Sequence, residues 1–437
     1  MLLRGREHER IRVPEDAGAV RSVIAFGGQP DRECLLLREE SQGRYLLPSY
    51  YVGADWLRTG QVAVSVEPKL NGADNGVDHV WMLFNCLQRP ELARFAGRLY
   101  TLDTEAPFIG LPRRNDLLTP LLVGHFLYLL QEVVRQGLKK GYNPVNRELR
   151  GRIKGKLDIG QTLRRGTFRQ RPLAMSCAYS EFSTDVPENR LLKQALRFAR
   201  HYLNDFPTYA RSLEHLIRFC EPAFEAVSDA EVTLKVAPVS NPLYRAYGEA
   251  LRVGWLLLKR FGFSLRTMES EQGDTVHVPP HWIDMSYLFE LYVLGLLYDR
   301  FGTKAVLYGE EQAKGNYGLP DFLLPGAEPW IIDAKYKPLY QQAQYRIEDV
   351  RQLSGYARDR QVLTKLGVPA ETLETTVVRC LVVYPDRLDD EYTQQPDQQA
   401  VPSIPELASL QDRPLPAFIR FYKLAVKLPA YGSVKQP

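Results

Sequence analysis

Apolar residues in the first 75 positions alternate or cluster in short runs, "CLLLREE", "RYLLPSYYVG" and "QVAVSVEPKL", separated by Gly and Pro. Runs of that length with turn residues between them predict a small β-rich module. The period then changes. "DHVWMLFNCLQRPELARFAG" and "LTPLLVGHFLYLLQEVVRQGLKKG" read as two helices, the second with Pro120 in its first turn and Lys139, Lys140 and Gly141 at its end. In "STDVPENRLLKQALRFARHYLND" the positions Leu192, Ala195, Leu196, Ala199 and Leu203 form one apolar face. Asp185 stands three residues ahead of Glu188 as in a capping box, with Pro187 in the first turn. Another helical pattern covers about 243–262. From 282 onward the order becomes helix, strand, turn, strand, helix, strand: "WIDMSYLFELYVLGLLYDRFG", then "KAVLYG", "PDFLLP", "PWIIDAKYK", a helix around 345–362, and "TTVVRCLVVYP". The fold class expected is α+β overall, with an α/β core around a central mixed sheet.

Composition narrows this picture only a little. A chain of 437 residues, 45% apolar and 25% charged, is long enough for two or three domains with cores of their own, and disorder is excluded as its general state. A net charge of +4 names no polyanionic partner, so any such argument rests on local clusters. The strongest lies between Arg147 and Arg171, with nine Lys/Arg against two Asp/Glu. If "LRGRIKGKLDI" is a strand, Arg150, Arg152, Lys154 and Lys156 share one face while Gly151 and Gly155 leave the other bare. That face suits phosphates, and a solvated edge guarded by charge explains it equally well. "GRIKGK" has neither the spacing nor the Ser/Thr of a phosphate loop, so no nucleotide is expected there. Five scattered cysteines, with no C-x-x-C pair, read as reduced core residues. The longest apolar run, around "LLVGHFLYLL", is too short to span a bilayer, and a cytoplasmic protein without a membrane partner is expected. The polar stretch from about 385 to 405 reads as a loop.

The chemistry concentrates in "NYGLPDFLLPGAEPWIIDAKYKPLY". Asp333 and Lys335 are two apart on a predicted strand and so point the same way, and a turn through "PGAEP" can bring Asp321 alongside. Two such carboxylates repel unless a cation lies between them. Hard oxygen ligands favour Mg²⁺, or Mn²⁺, with the Ala334 main-chain carbonyl as a plausible further ligand. A lysine beside the ion suits phosphodiester hydrolysis; glycoside cleavage has no evident need for it. Glu290, in the otherwise apolar "YLFELYVLGLL", should meet a cation or an ion-bound water, with an internal salt bridge as the plainer alternative. Gln352 and Tyr356 lie one helical turn apart and could hold a phosphate or base.

Taken together, Glu290, Pro320 with Asp321, "DAK" at 333–335 and the Q-x-x-x-Y of Gln352 and Tyr356 resemble the PD-(D/E)xK nuclease superfamily. Over most of the chain beyond residue 60 the sequence is similar to the McrC family, nuclease subunits of McrBC modification-dependent restriction systems. The segments that carry this are "VEPKL", "LLQEVVRQGLKKGY", "LRGRIKGKLDI", "CAYSEFSTDVPENRLLKQAL" and "PDFLL...IIDAKYKPL". The resemblance implies a Mg²⁺-dependent endodeoxyribonuclease with catalytic Asp321, Asp333, Lys335 and Glu290, the ion held by Asp321, Asp333, the Ala334 carbonyl and, through water, Glu290. It implies DNA contacts from Gln352, Tyr356, Lys337, Arg150, Arg152, Lys154 and Lys156. The implied partners are a McrB-like AAA+ GTPase hexamer, whose GTP hydrolysis it would stimulate, and methylated double-stranded DNA. The division it suggests is a partner-docking domain at 1–140 and a DNA-binding and nuclease domain at 141–437, with its catalytic core from about 282. Two other readings fit the same residues: a non-catalytic regulator or DNA clamp of an AAA+ ring, and a RecB-type nuclease serving another helicase.

Overall fold

The short apolar segments at the start of the chain become strands, some, such as that at 62–67, buried on both faces. The computed structural model describes residues 1–70, 77, 79–87, 89–103, 105–112, 118–168, 173–204, 207–229, 245–260, 275–337, 345–386, 404–405, 407 and 415–428. In it β1 (Leu2–Arg6), β2 (Ile11–Val13), β3 (Val23–Ala25), β4 (Glu33–Glu40), β5 (Gly43–Pro48), β6 (Tyr51–Arg58) and β7 (Val62–Glu67) divide between two sheets. One has the order β2-β5-β4-β3. In the other, β1 runs parallel to β7 and β7 antiparallel to β6. Leu3, Ile11, Leu35, Leu46, Val64 and Trp282 share one core between them.

The first expected helix is broken in two, α1 (His79–Leu87) and α2 (Pro90–Ala93), because Pro90 has no N–H to continue the ladder. β8 (Tyr100–Leu102) and β9 (Ile109–Pro112) come next. The polypeptide then forms two compact units, one made of 1–121 with 273–437 and the other of 122–272. Sheet pairing gives the reason why the two ends belong to one unit. β13 (Thr275–Val278) pairs with β9, and β14 (His281–Asp284) enters the sheet of β1, β7 and β6, between β6 and β8. A segment ending at 140 lacks that central strand. The approach of β14 to β6 is close: at Gly53 (φ +152°) a Cβ would stand 2.1 Å from the His281 carbonyl oxygen.

The second unit begins within α3 (Leu118–Gln136), the expected second helix. β10 (Gly141–Arg150), β11 (Lys156–Leu157) and β12 (Ala174–Ser183) form a sheet with β12 in the middle, and α4 (Ile159–Phe168) comes after β11. The single strand expected over "LRGRIKGKLDI" does not exist. β10 stops at Arg150, the chain turns through Gly151 (φ +70°) and Gly155 (φ +71°), and β11 pairs with the opposite edge of β12. Arg150, Arg152, Lys154 and Lys156 are all exposed but belong to two strands and the turn between them, not to one strand face. Gly155 is required here because a Cβ would lie 2.5 Å from the Ala178 carbonyl oxygen. α5 (Pro187–Asn204), α6 (Pro207–Cys220) and α7 (Arg245–Arg260) complete the unit. α5 buries Leu192, Ala195, Leu196, Ala199 and Leu203 as the periodicity predicts. Its capping box does not form: Asp185 turns to Arg190 and Ser228, and Glu188 pairs with Lys139 at 2.6 Å.

Returning to the first unit, α8 (Met285–Phe301) starts at 285 and not at 282. The preceding residues have been taken by β14, and the Asp284 carboxylate caps the helix by accepting from the Tyr287 N–H at 2.9 Å. Gly302 (φ +85°) ends it. The remaining elements are β15 (Leu307–Tyr308), α9 (Gly309–Ala313), β16 (Phe322–Leu324), β17 (Trp330–Ala334), α10 (Ile347–Tyr356), α11 (Arg360–Lys365), β18 (Arg379–Asp386) and β19 (Phe421–Lys427). They build the mixed sheet β15-β16-β17-β18-β19, antiparallel up to β17 and parallel beyond it. Val350 and Leu353 of α10 and Val362 and Leu363 of α11 share a core with Leu323, Ile331 and Val382 of the sheet. The expected α+β class with a central mixed sheet is what is found; β19 is a strand that the apolar pattern did not predict. Most of the expected loop at 385–405 lies outside the described residues. All five cysteines are buried and free. Among the described residues no helix is long and apolar enough to cross a membrane.

The Asp185 contacts give a stability test. Hydrogen bonds from Arg190, helped by those from Ser228, hold the Asp185 carboxyl down at about 2 against the pull of partial burial. A depressed acid stabilises the fold above its unfolded pKa, and that contribution disappears as pH falls through the folded value. Chemical denaturation followed between pH 7 and pH 2 is expected to show Asp185→Asn weaker by about 2 kcal/mol at pH 7. The gap should close between about pH 4 and pH 2.

Candidate active site

β17 is buried on both faces, so its polar residue stands out physically: the Asp333 side chain is only 2% exposed, between Ile332 and Ala334. The register Phe322↔Ile332, continued by one residue, sets Asp321 opposite Asp333. Asp321 Oδ2 accepts the Ala334 N–H at 2.8 Å, which locks the carboxylate against the end of β17. Lys335 continues the ladder one residue past the strand, its N–H donating to the Val383 carbonyl at 2.8 Å. Its Nζ lies 2.8 Å from Asp333 Oδ2 and donates to Gln352 Oε1 at 3.1 Å. Gln352 Nε2 in turn donates to the Tyr356 hydroxyl at 3.0 Å, so α10 supplies a relay that fixes the ammonium. The structure thus brings Asp321, Asp333, Lys335, Gln352 and Tyr356 together.

Electrostatics decide what this arrangement tolerates. Burial, with Asp333 and then Glu290 nearby, raises the Asp321 pKa well above the ordinary carboxylate range. Burial also raises that of Asp333, although Lys335 opposes the shift. Burial works against the charge on Lys335, but Asp333 and Asp321 outweigh it and its pKa is raised. The two acids thus favour the ammonium form of Lys335. Burial pushes Glu290 up to about 7, with the Tyr308 hydroxyl hydrogen bond opposing it and Asp284 and Asp333 adding to it.

One ammonium is too little cation for this acidic group. Asp333 Oδ2 is buried, with the Lys335 ammonium 2.8 Å away. A hard divalent ion fits such oxygens. Among the described residues, however, no three His, Cys, Asp or Glu side chains stand together as a ready-made cation cage. Glu290 faces Tyr308, and its plainer expected partner, a basic side chain, appears only as the electrostatic influence of Arg98.

Lys337, an expected DNA contact, is turned toward Asp349. Its Nζ is shared between Asp349 Oδ1 at 2.9 Å and Oδ2 at 3.0 Å, and Asp349 is buried. The basic residues Arg150, Arg152, Lys154 and Lys156 belong to the other compact unit. Lys154 stands 3.8 Å from Glu181 and 4.2 Å from the centre of the Tyr179 ring. Asp359 is a residue the motif pattern missed. It caps α11 and also accepts from Asn316 N, Asn316 Nδ2 and Tyr317 N, clamping the loop that leads to Asp321 and leaving Tyr317 98% exposed. A cap signal, Asp359 before the helix that opens at Arg360, was present; its second task joins residues 43 apart in sequence.

Comparison with known proteins places these observations in a lineage. A family profile described as McrBC 5-methylcytosine restriction system component matches residues 48–365. Among solved structures the chain is similar to a half-complex from a tetradecameric assembly of Thermococcus gammatolerans McrB AAA+ hexamers with bound McrC. The identity is 15%, with 98% of this chain and 94% of that chain covered and a TM-score of 0.38. It is also similar to a chain of the Thermococcus gammatolerans McrBC complex, at 15% identity, with 68% and 87% covered and a TM-score of 0.27. No curated protein matches. Since the profile spans well over half of the sequence, the chain belongs to the family of McrBC 5-methylcytosine restriction system components.

Proposed function

We propose that this chain is the nuclease subunit of a McrBC-like restriction system, cutting DNA phosphodiesters with Mg²⁺ when assembled with a McrB-like AAA+ GTPase that recognises methylated DNA. The observation that carries the reading is the meeting of Asp321, Asp333 and Lys335 at one end of a buried sheet. Asp321 and Asp333, with the Ala334 carbonyl, would hold the ion. Bound there, Mg²⁺ supplies Lewis-acid chemistry: a more acidic water and neutralised charge at the scissile phosphate. The side chains do the rest. Lys335, kept cationic by Asp333 and Asp321, donates to the attacking water or to a phosphate oxygen as negative charge builds there. There it positions the water and stabilises the developing charge. Gln352 and Tyr356 hold the ammonium in line, so its orientation is set before DNA arrives. Glu290, pushed up to about 7 chiefly by burial, would support the ion through water.

The partner reading draws on the family and on the solved assemblies of McrB with McrC, and the exposed basic residues from Arg150 to Lys156 give the second unit a surface suited to DNA phosphates. Stimulation of the partner's GTP hydrolysis belongs to the same proposal.

Asp333→Asn and Lys335→Ala are each expected to lower Mg²⁺-dependent cleavage by about 10³-fold or more while GTPase stimulation stays intact. Cleavage of methylated plasmid beside phosphate release checks both, and undiminished cutting by either variant overturns the assignment. If wild-type protein raises GTP turnover without ever nicking DNA, the chain is a regulator of the ring.

Gln352→Ala is expected to slow single-turnover cleavage by about 10- to 100-fold with little effect on DNA affinity, since the amide acts through Lys335.

Lys337→Ala separates two roles. Because its ammonium is spent on buried Asp349, the variant should unfold at a lower temperature while the salt dependence of DNA binding keeps its slope. A slope reduced by about one would instead mark Lys337 as a phosphate contact.

A further inference from the structure

The "VEPKL" segment carries a buried cation that the nuclease chemistry leaves unused. Lys69, just beyond β7, sends its ammonium to the main-chain carbonyl of Tyr336 at 2.7 Å. Tyr336 sits between Lys335 and Lys337, 267 positions away in sequence. Behind Lys69 stands Glu7, whose side chain is wholly buried. Glu7 Oε2 accepts the Lys69 N–H at 3.0 Å and Oε1 lies 4.0 Å from the ammonium. The rings of Tyr336 and Tyr50 flank the ammonium, at 4.0 and 5.1 Å. Tyr336 is itself held: its ring packs 5.8 Å from that of Phe289, and its hydroxyl is 3.4 Å from His79 Nε2.

Burying a lysine and a glutamate costs several kcal/mol per ion unless each is well paired. A surface loop needs no such device, so the target of the hydrogen bond is informative. At Lys335 the chain makes its last ladder bond, to Val383, and then turns tightly, with Lys337 N–H donating to the Lys335 carbonyl at 2.6 Å. The direction of that turn decides where both lysine side chains point. We propose that Lys69, backed by Glu7, is a positioning residue for the candidate nuclease site: by holding the Tyr336 carbonyl it fixes the turn at 335–337, aiming Lys335 at Asp333 and Lys337 at Asp349. The consequence for catalysis rests on the nuclease reading above; the positioning itself does not.

The test keeps these apart. Hydrogen exchange on the full-length chain needs no cleavage. In Lys69→Met, which keeps the aliphatic stem, the amides of Lys335 and Lys337 should exchange about tenfold faster or more, while those of 331–334 and 380–384 stay within about twofold of wild type. Lys69→Arg, which restores a donor, should recover most of the protection. In the assembly with the partner GTPase, cleavage at saturating Mg²⁺ should fall about tenfold in Lys69→Met, with the half-saturating Mg²⁺ concentration unchanged, because Asp321 and Asp333 are held by the β16–β17 register. Unaltered exchange at 335 and 337 overturns the proposal, and so does an even acceleration across β16 to β19, which would mean general loosening. If exchange changes as expected but the wild-type assembly never cuts DNA, the nuclease reading fails and the positioning role stands.

Discussion

Two carboxylates facing each other across neighbouring buried strands cannot both be charged without a cation between or beside them. That constraint organises one end of the mixed sheet. The Asp321–Ala334 hydrogen bond and the Phe322↔Ile332 pairing hold the acids at fixed positions, so relief by moving apart is closed to them. Protonation and cation binding are the routes left. A one-residue slip between β16 and β17 would send Asp333 to the opposite face, where Ile332 is buried beside its strand partners Phe322 and Leu381. The hydrophobic core thus enforces the register that the chemistry needs.

Lys335 answers part of that demand and makes the rest more specific. Its charge is stabilised by the acids it neutralises, and its freedom is taken up by Gln352 and through it Tyr356. A long lysine side chain ordinarily loses considerable rotamer entropy on being fixed. Here part of that loss is met during folding, when α10 docks through Val350 and Leu353. Lys337 shows the contrast. Two residues further on and equally cationic, it is consumed by Asp349 and works as a tie between the strand end and α10. Spacing alone could not tell which acceptor each of the two lysines would meet.

This marks how far the sequence was legible. Local signals carried well: the short apolar runs of β4 to β7, the apolar face of α5, and the buried strand with its aspartate. Asp321, Asp333 and Lys335 are close in sequence, and a short turn suffices to unite them. The features that escaped were set by distant pairing. "HWID" scans as the start of a helix, yet β6 and β8 supply strand partners on both sides and Asp284 is left to cap α8. The cationic stretch after Arg150 alternates like a strand, but two left-handed glycines at 151 and 155 divide it. Asp185 had the spacing of a cap and met Arg190 and Ser228 instead, the latter 43 residues away.

The same distance dependence explains why the two ends of the chain form one compact unit. Two separate routes lead from the amino-terminal strands to the candidate site. In one, Arg32, stacked on Phe26, pairs with Asp284 at 2.6 Å across 252 positions, and Asp284 caps the helix that carries Glu290. In the other, Glu7 and Lys69 reach Tyr336 beside Lys335. Each route ends one step short of the candidate site residues, on a cap or a carbonyl. A site braced in this way keeps its geometry only while the amino-terminal sheet is folded around β14. The acids are placed by neighbours in sequence, whereas the residues that aim the lysine and carry Glu290 are placed by the fold as a whole.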